Sequence, residues 1–318
     1  MMRRRALAGL ALLPVAARAE WAPPRSVRMV VPYPPGGGAD TTARLFAPPF
    51  TAFLGQNVVV ENRPGAGSTI GAGEVARAAP DGTTLLLDAS GHTVAPLLIR
   101  GLNFDYATGF TPISQVMLIP QMLIVPPGSP YTSLPQLLAA AKAAPGKLTY
   151  GSSGNASAPH IAAAVLVSRA GVEMTHVPYR GGGPALQSLL SGDLDCVFAT
   201  VASATALARE GRVRALAASS ARRISALPEV PTVAEQGFPG YDQNEWNGLW
   251  GPAGLPADAV ARLHAACVNA LAQEVVQARL AALGAIGLGT SPAEFAAFIT
   301  RDREANAKVI RDAHITLD

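Results

Sequence analysis

Two loops far apart in the chain carry the residue types of an anion cradle: Val31-Pro32-Tyr33-Pro34-Pro35-Gly36-Gly37-Gly38 and Val177-Pro178-Tyr179-Arg180-Gly181-Gly182-Gly183. Each follows an apolar, β-prone run, supplies a triple glycine and leads into a helix-like segment, Thr41 to Phe46 in one case and Pro184 to Leu190 in the other. Glycine lets bare backbone N–H groups close on a ligand, and the start of the next helix adds unpaired donors and partial positive charge. A plain strand-to-helix turn does not require three glycines. One cradle in each half predicts a ligand held between two lobes.

Other constellations suggest chemistry and mostly fail on spacing. Ser152 and Ser153 precede His160, but a nucleophile elbow needs glycine two before and two after the serine, and Gly151-Ser152-Ser153-Gly154 offers neither serine that setting. Ser152, Ser153 and Asn155, with the backbone at Gly154, therefore read as donors to a bound anion, and His160 as a helix-start or cleft-wall residue. The five histidines show no helical pairing and the two cysteines, Cys196 and Cys267, are far apart, so no metal and no cofactor are expected. Gly71-Ala72-Gly73-Glu74-Val75-Ala76 fits a dinucleotide pattern but lacks a strand immediately before it.

These residues need elements to position them. Short β-rich runs alternate with Ala/Leu-rich helical runs, the pattern of α/β lobes with mixed, mostly parallel sheets flanked by helices. Strands are expected at Val27–Val31, Val58–Glu61, Thr84–Leu87, Met122–Val125, Leu148–Tyr150, Met174–Val177, Cys196–Thr200 and Val213–Ala217. Helices are expected between them, among these Ala158–Ala170, and the tail is helical over 256–283 and 292–312. Ser291-Pro292-Ala293-Glu294 is a capping box with proline at the first helical position. Proline-rich stretches at 125–128 and 227–231 mark two crossings between lobes, giving a first lobe of residues 20–122 and 222–318 and a second of 123–221. Two sequential domains with one crossing are the alternative.

Ligands of open α/β sheets bind beyond the carboxyl ends of the strands. That rule collects Tyr33 to Asp40, Asn62 to Thr69, Ser90 to Thr93, Gly151 to Asn155 and Tyr179 to Gly183. Asp40 reads as ligand contact or helix cap, and Gly67, Ser68, Thr69 and Ser90 as ligand or water contacts. Tyr33, Tyr179 and Trp246 are candidates to roof the cleft, with core packing the alternative for Trp246.

Composition sets the setting. A hydrophobic share of 49% with 15% charged residues argues for a well-packed core and against general disorder. Arg3-Arg4-Arg5, the apolar run to Ala17 and the small residues around Ala19 read as an export signal over residues 1–19, too short to span a bilayer. Its removal takes four arginines and no acids, so 25 basic residues become 21 against 22 acidic ones and the net charge moves from +3 to −1. Nothing then steers the protein to nucleic acid or an anionic membrane. In an oxidising compartment the two cysteines either pair or remain buried thiols.

The runs Val30 to Asp40, Val60-Glu61-Asn62-Arg63-Pro64-Gly65-Ala66-Gly67, Tyr150-Gly151-Ser152-Ser153-Gly154-Asn155, Val177-Pro178-Tyr179-Arg180-Gly181 and Leu227-Pro228-Glu229-Val230-Pro231-Thr232 resemble the Bug family. These are the TctC-like solute-binding proteins of tripartite tricarboxylate transporters. The resemblance covers the chain after the signal. It implies a two-lobed, type II periplasmic-binding fold, a Venus flytrap that closes on a small carboxylate and passes it to membrane permease subunits.

It further implies a ligand carboxylate gripped by Tyr33, Pro34, Gly36, Gly37 and Gly38 in lobe one and by Ser152 to Asn155 with Tyr179, Arg180 and Gly181 in lobe two. Relatives carry lysine where Arg180 stands and an acid after Phe198, where this chain has Ala199-Thr200; Thr200 joins the expected site, and an amino-acid ligand loses its counter-charge there. The expected function is a monomeric, periplasmic, non-enzymatic receptor for a di- or tricarboxylate or an aromatic acid. An exported hydrolase-like α/β enzyme and an adhesion module are the alternatives.

Overall fold

The computed structural model describes residues 21–155, 157–312 and 315, so the expected export signal lies outside the described residues. From the amino end, β1 (Val27–Val31), α1 (Gly38–Leu54), β2 (Val58–Asn62), α2 (Thr69–Ala76), β3 (Thr84–Ala89) and α3 (Gly91–Leu98) alternate strand and helix. The three strands pair in parallel with β1 in the middle. β3 is buried along its whole length, as a strand covered on both faces must be.

β4 (Phe110–Ile119) passes through Pro120 directly into β5 (Gln121–Val125), which belongs to a second sheet. There follow α4 (Leu134–Ala143), β6 (Thr149–Ser152), α5 (Ala158–Ala170), β7 (Thr175–Pro178), α6 (Gly182–Ser191), β8 (Cys196–Thr200), α7 (Val201–Arg209) and β9 (Arg214–Ala218). The chain returns to the first sheet as β10 (Glu245–Pro252), and ends in α8 (Ala257–Ala272), α9 (Glu274–Leu283), the short β11 (Ile286–Gly287) and α10 (Pro292–Asp312). The first sheet has the order β11-β4-β10-β3-β1-β2 and the second β7-β6-β8-β5-β9.

Both sheets are mixed and flanked by helices, as the alternating pattern predicts. The antiparallel share is higher than expected: among the described residues four strand pairings are parallel and five antiparallel. The reason is local to the crossings, because β4, β5 and β10 run against their neighbours.

Packing divides the chain slightly differently from the proline markers. Ile224, Leu227 and Val230 lie in one apolar cluster with residues of β5, β8 and β9. Tyr241 packs with α5, its hydroxyl donating to the Ala162 carbonyl at 2.7 Å. Residues 222–241 are thus held to the second sheet rather than the first. α10 spans both units: Phe295 is buried among the aromatic residues of the first sheet, and Ile310 in the cluster of the second. Its start is the expected capping box, Ser291 Oγ accepting the Glu294 N–H at 3.3 Å and Glu294 accepting the Ser291 N–H at 2.9 Å.

β10 tolerates glycines in its interior because neighbours fill their space. A Cβ on Gly248 would lie 2.2 Å from Phe295 and 2.7 Å from Trp250. The cysteines are free and buried, Cys196 on β8 and Cys267 on α8, in different clusters. Burial raises both thiols above their ordinary range.

Candidate functional site

Two cavities adjoin between the sheets. The first, about 290 Å³, has the starts of α3 and α5 at its rim, with Ser90, Gly91, Ser153, Asn155, Ser157 and Ala158 around it and Val94, Leu98 and Ile99 as its apolar wall. The second, about 260 Å³, takes in the starts of α6 and α7, with Gly182, Gly183, Thr200 and Ser203, backed by Phe198 and Gln121. Ser153, Pro159 and Glu245 line both. A wider recess of about 640 Å³ opens along 220–226 and α9 but contains none of the expected site residues.

The shared chemistry is that of helix starts. α3, α5, α6 and α7 begin after Ser90, Ser157, Gly181 and Thr200, and at none of them does a side chain cap the first turn. The Val201 N–H of α7 already donates to the Pro120 carbonyl at 3.2 Å, and Pro159 and Pro184 carry no N–H, so a ligand is served by the remaining first-turn amides, while each helix brings partial positive charge to the same space. No lysine, arginine or histidine lines either cavity among the described residues, and Glu245 is the one charged side chain there. The arrangement can hold a carboxylate reversibly through dipoles and amides.

The wall from the first sheet is fixed by Asp88, which is fully buried at the end of β3. It accepts from the Tyr33 hydroxyl at 2.9 Å and the Ala89 N–H at 2.8 Å, and pairs with His92 Nδ1 at 3.1 Å. Desolvation lowers the His92 imidazole below its usual range despite the Asp88 carboxylate, so His92 is neutral at pH 7 and donates through Nδ1. His92 stacks on Trp250 at 4.1 Å. Tyr33 is thereby set against Gly91, where any Cβ would lie 2.7 Å from its oxygen. The neighbouring loop residues Ala66 and Ser68 adopt positive φ of 45° and 76°, a local strain of the kind that persists where surrounding structure over-determines it.

The first triple-glycine loop is engaged differently from the expectation. Asp40 is neither the cap of α1 nor a cavity residue: the cap position is Gly37, and the Asp40 carboxylate accepts the Gly36 N–H at 2.8 Å, Asn62 Nδ2 at 2.9 Å and Arg44 Nε at 3.0 Å. Burial works against its charge, but these bonds hold the carboxyl below the ordinary aspartate value. The chain's own acid has therefore taken one donor of the cradle. Pro34, Gly36, Gly37 and Gly38 are exposed, and Gly38 alone approaches the cavity wall, a Cβ there lying 3.3 Å from Glu245 Oε1.

On the second sheet, Ser152 Oγ is 2.7 Å from His176 Nε2, a contact that invites a catalytic dyad. Ser152 is fully buried, lines neither cavity and also donates to the Gly154 carbonyl at 3.0 Å, so it supports the loop. His176 stacks on His160 at 3.8 Å and on Tyr150 at 5.0 Å. Burial, aided by the His176 charge, pulls the His160 imidazole down to about 4.

The unfolded chain takes up that proton first, so the contribution of His160 is complete above pH 6.5 and is lost as pH falls toward 4. Urea unfolding at pH 7.5 and pH 5 should show roughly 2 kcal/mol more acid loss in the wild type than in His160→Phe. Equal losses would remove His160 as the cause.

Of the residues expected at the site, Tyr33, Gly67, Ser90, Ser153 and Asn155 line the first cavity, and Ser153 and Thr200 the second. Gly154 and Gly181 sit in the adjoining loops, both with positive φ. Ser68 and Thr69 are buried behind Gly67. Tyr179 turns to α6, its hydroxyl 2.5 Å from Ser188 Oγ, and Arg180 is exposed and lines neither cavity. Trp246 is a core residue: its ring packs against Trp250, Phe295 and Phe298 and touches only a gap of about 20 Å³ beside Ser90. Sequence reasoning missed Asp88, Gln121 and Glu245, and the only cue for the last was its place before Trp246 in a glycine-spaced run.

Among the described residues no group of histidine, cysteine and acidic side chains is suited to a metal, and no helix is long and apolar enough to cross a membrane. Comparison with known proteins matches residues 42–315 to the family model described as "Tripartite tricarboxylate transporter family receptor". The chain is 38% identical over 314 residues to the "UPF0065 protein in tcbD-tcbE intergenic region" of Pseudomonas sp. strain P51, covering 97% of this chain and 94% of that one.

Among solved structures it is similar to the periplasmic binding protein BugD, with a TM-score of 0.76 at 33% identity over 92% of this chain and 99% of that one. It is also similar to MatC of Rhodopseudomonas palustris with bound malate, with a TM-score of 0.75 at 34% identity over 91% and 99%.

Proposed function

Since the chain belongs to the tripartite tricarboxylate transporter receptor family, a family of periplasmic solute-binding proteins and not of enzymes, we propose that it captures a small organic carboxylate between its two sheets and delivers it to the permease subunits of such a transporter. The observation that carries this reading is the meeting of four helix starts without side-chain caps at two adjoining cavities free of cationic side chains. A carboxylate there gains directed donors while keeping an affinity low enough for release. The ligand malate in the MatC relative has the matching chemistry.

In this proposal the first lobe is built on the β11-β4-β10-β3-β1-β2 sheet and the second on β7-β6-β8-β5-β9. The hinge passes through Pro120 and through the stretch before β10, so closure needs few backbone changes. Residues 222–241 move with the second lobe, to which they are packed. The ligand contacts are Tyr33, Gly67, Ser90, Ser153, Asn155 and Thr200 together with the helix-start amides. The exported form, cleaved near Ala19, acts as a monomer in the periplasm.

A ligand bound only by the folded state raises its stability by about 2.7 kcal/mol at one hundred times its dissociation constant. Thermal unfolding in the presence of di- and tricarboxylates and aromatic acids should therefore give a concentration-dependent upward shift with at least one of them, with no turnover. Product formation abolished by Ser153→Ala would instead establish the enzyme.

A further inference from the structure

Gln121 is a buried amide and Glu245 a half-buried carboxylate that no protein group in the cleft satisfies. Glu245 opens β10 at the hinge, opposite Ile119 in the β4 pairing, and its side chain lines both cavities. Its carboxylate has no hydrogen-bond or ion-pair partner among the described residues, and no cationic side chain faces it in either cavity. Gln121, the first residue of β5, lines the second cavity at 1% exposure, and both its amide nitrogen and its amide oxygen lack partners.

Buried polar atoms without partners cost stability, and a desolvated carboxylate without a counter-charge costs more. A receptor keeps such groups where a ligand completes them.

The remaining question is the sign of what completes them. A ligand carboxylate placed at the helix starts shares a confined space with Glu245, and two desolvated carboxylates repel at that range. An ammonium on the same ligand removes the conflict: it donates three hydrogen bonds, and the Glu245 carboxylate and the Gln121 amide oxygen are acceptors on that wall. We propose that Glu245 and Gln121 form the cation-binding end of the cleft, so that the ligand is a zwitterion, a small carboxylate bearing an amino group.

This rests on the receptor reading above and narrows its ligand class. It also answers the loss of the acid after Phe198 noted in the sequence, because the counter-charge comes from β10 instead of β8. Burial holds the Glu245 carboxyl above its ordinary value in the unliganded protein, in keeping with a group that waits for a positive partner.

The test is a calorimetric titration of the wild type and Glu245→Gln with matched pairs: succinate and aspartate, glutarate and glutamate, butyrate and γ-aminobutyrate. In the wild type the amino member of at least one pair should bind ten-fold or more tightly than its partner. In Glu245→Gln that preference should fall at least ten-fold, while the plain carboxylate binds as well as before or better.

The unliganded variant should melt at or above the wild-type temperature at pH 8, since an unpartnered charge has been removed; a merely structural glutamate would give a lower one. Preference for the plain carboxylates, or a preference unchanged by Glu245→Gln, overturns the zwitterion and leaves the receptor reading intact. No binding by any member of the panel overturns both.

Discussion

Asp88→Ala should lower the unfolding free energy by about 3–5 kcal/mol, read as a fall in the urea midpoint at pH 7.5. The variant strands the Tyr33 hydroxyl, His92 Nδ1 and the Ala89 N–H, all of which bond to Asp88. Each buried donor left without an acceptor costs about 1–3 kcal/mol. Asp88→Asn keeps one carbonyl oxygen in place and should recover about half of the loss. Full recovery in Asp88→Asn, which keeps the volume but not the carboxylate, would mean that packing volume and not hydrogen bonding to the carboxylate sets the contribution of Asp88. Because Tyr33 forms part of the first cavity, ligand affinity should weaken along with stability in Asp88→Ala.

The second large effect is at α10. Phe295→Ala should cost about 3–5 kcal/mol, the range for deleting a fully buried phenylalanine. Its ring meets Trp250 at 4.9 Å and Trp246 at 6.0 Å, and it fills the space left above Gly248. Glu245, one residue before Trp246 on β10, lies on the opposite face, beside Gly38 at the start of α1. Phe298→Ala, at a partly buried position of the same helix, should cost distinctly less in the same denaturation experiment. Comparable costs would show that α10 docks through its whole face and that Phe295 is no anchor.

Much of the frame was legible because local signals agreed. β1 and β8 lie where apolar, β-prone runs place them, α5 covers the expected Ala158–Ala170, and α10 begins at the Ser291 box. β4, β10 and α3 were missed for a common reason, which is that their residues are dictated by tertiary neighbours. β4 carries Pro112, Ser114 and Gln115 among its apolar residues. β10 reads Glu-Trp-Asn-Gly-Leu-Trp-Gly-Pro, where glycines answer to Phe295 and Leu255 pressing on the sheet. α3 is short, and Pro96 lies inside it.

The site was legible to the same degree. Composition points to backbone amides as donors, and Ser90, Ser153 and Thr200 from the expected loops line the two cavities. It did not show which amides stay free. The first glycine loop has given its Gly36 N–H to Asp40, a bond set by Asn62 and Arg44 as much as by the loop itself. Arg180 is expected in the grip on the carboxylate, yet it is exposed and lines neither cavity. The charge that does reach the cleft, Glu245, comes from a strand whose existence the local sequence conceals.

In the proposed function the two sheets close on a small carboxylate held at the helix starts. Small-angle X-ray scattering with and without a saturating ligand from the matched carboxylate panel measures this directly. Closure gives a ligand-dependent fall in the radius of gyration that follows the binding isotherm and saturates with it. Saturable binding with an unchanged radius would contradict it.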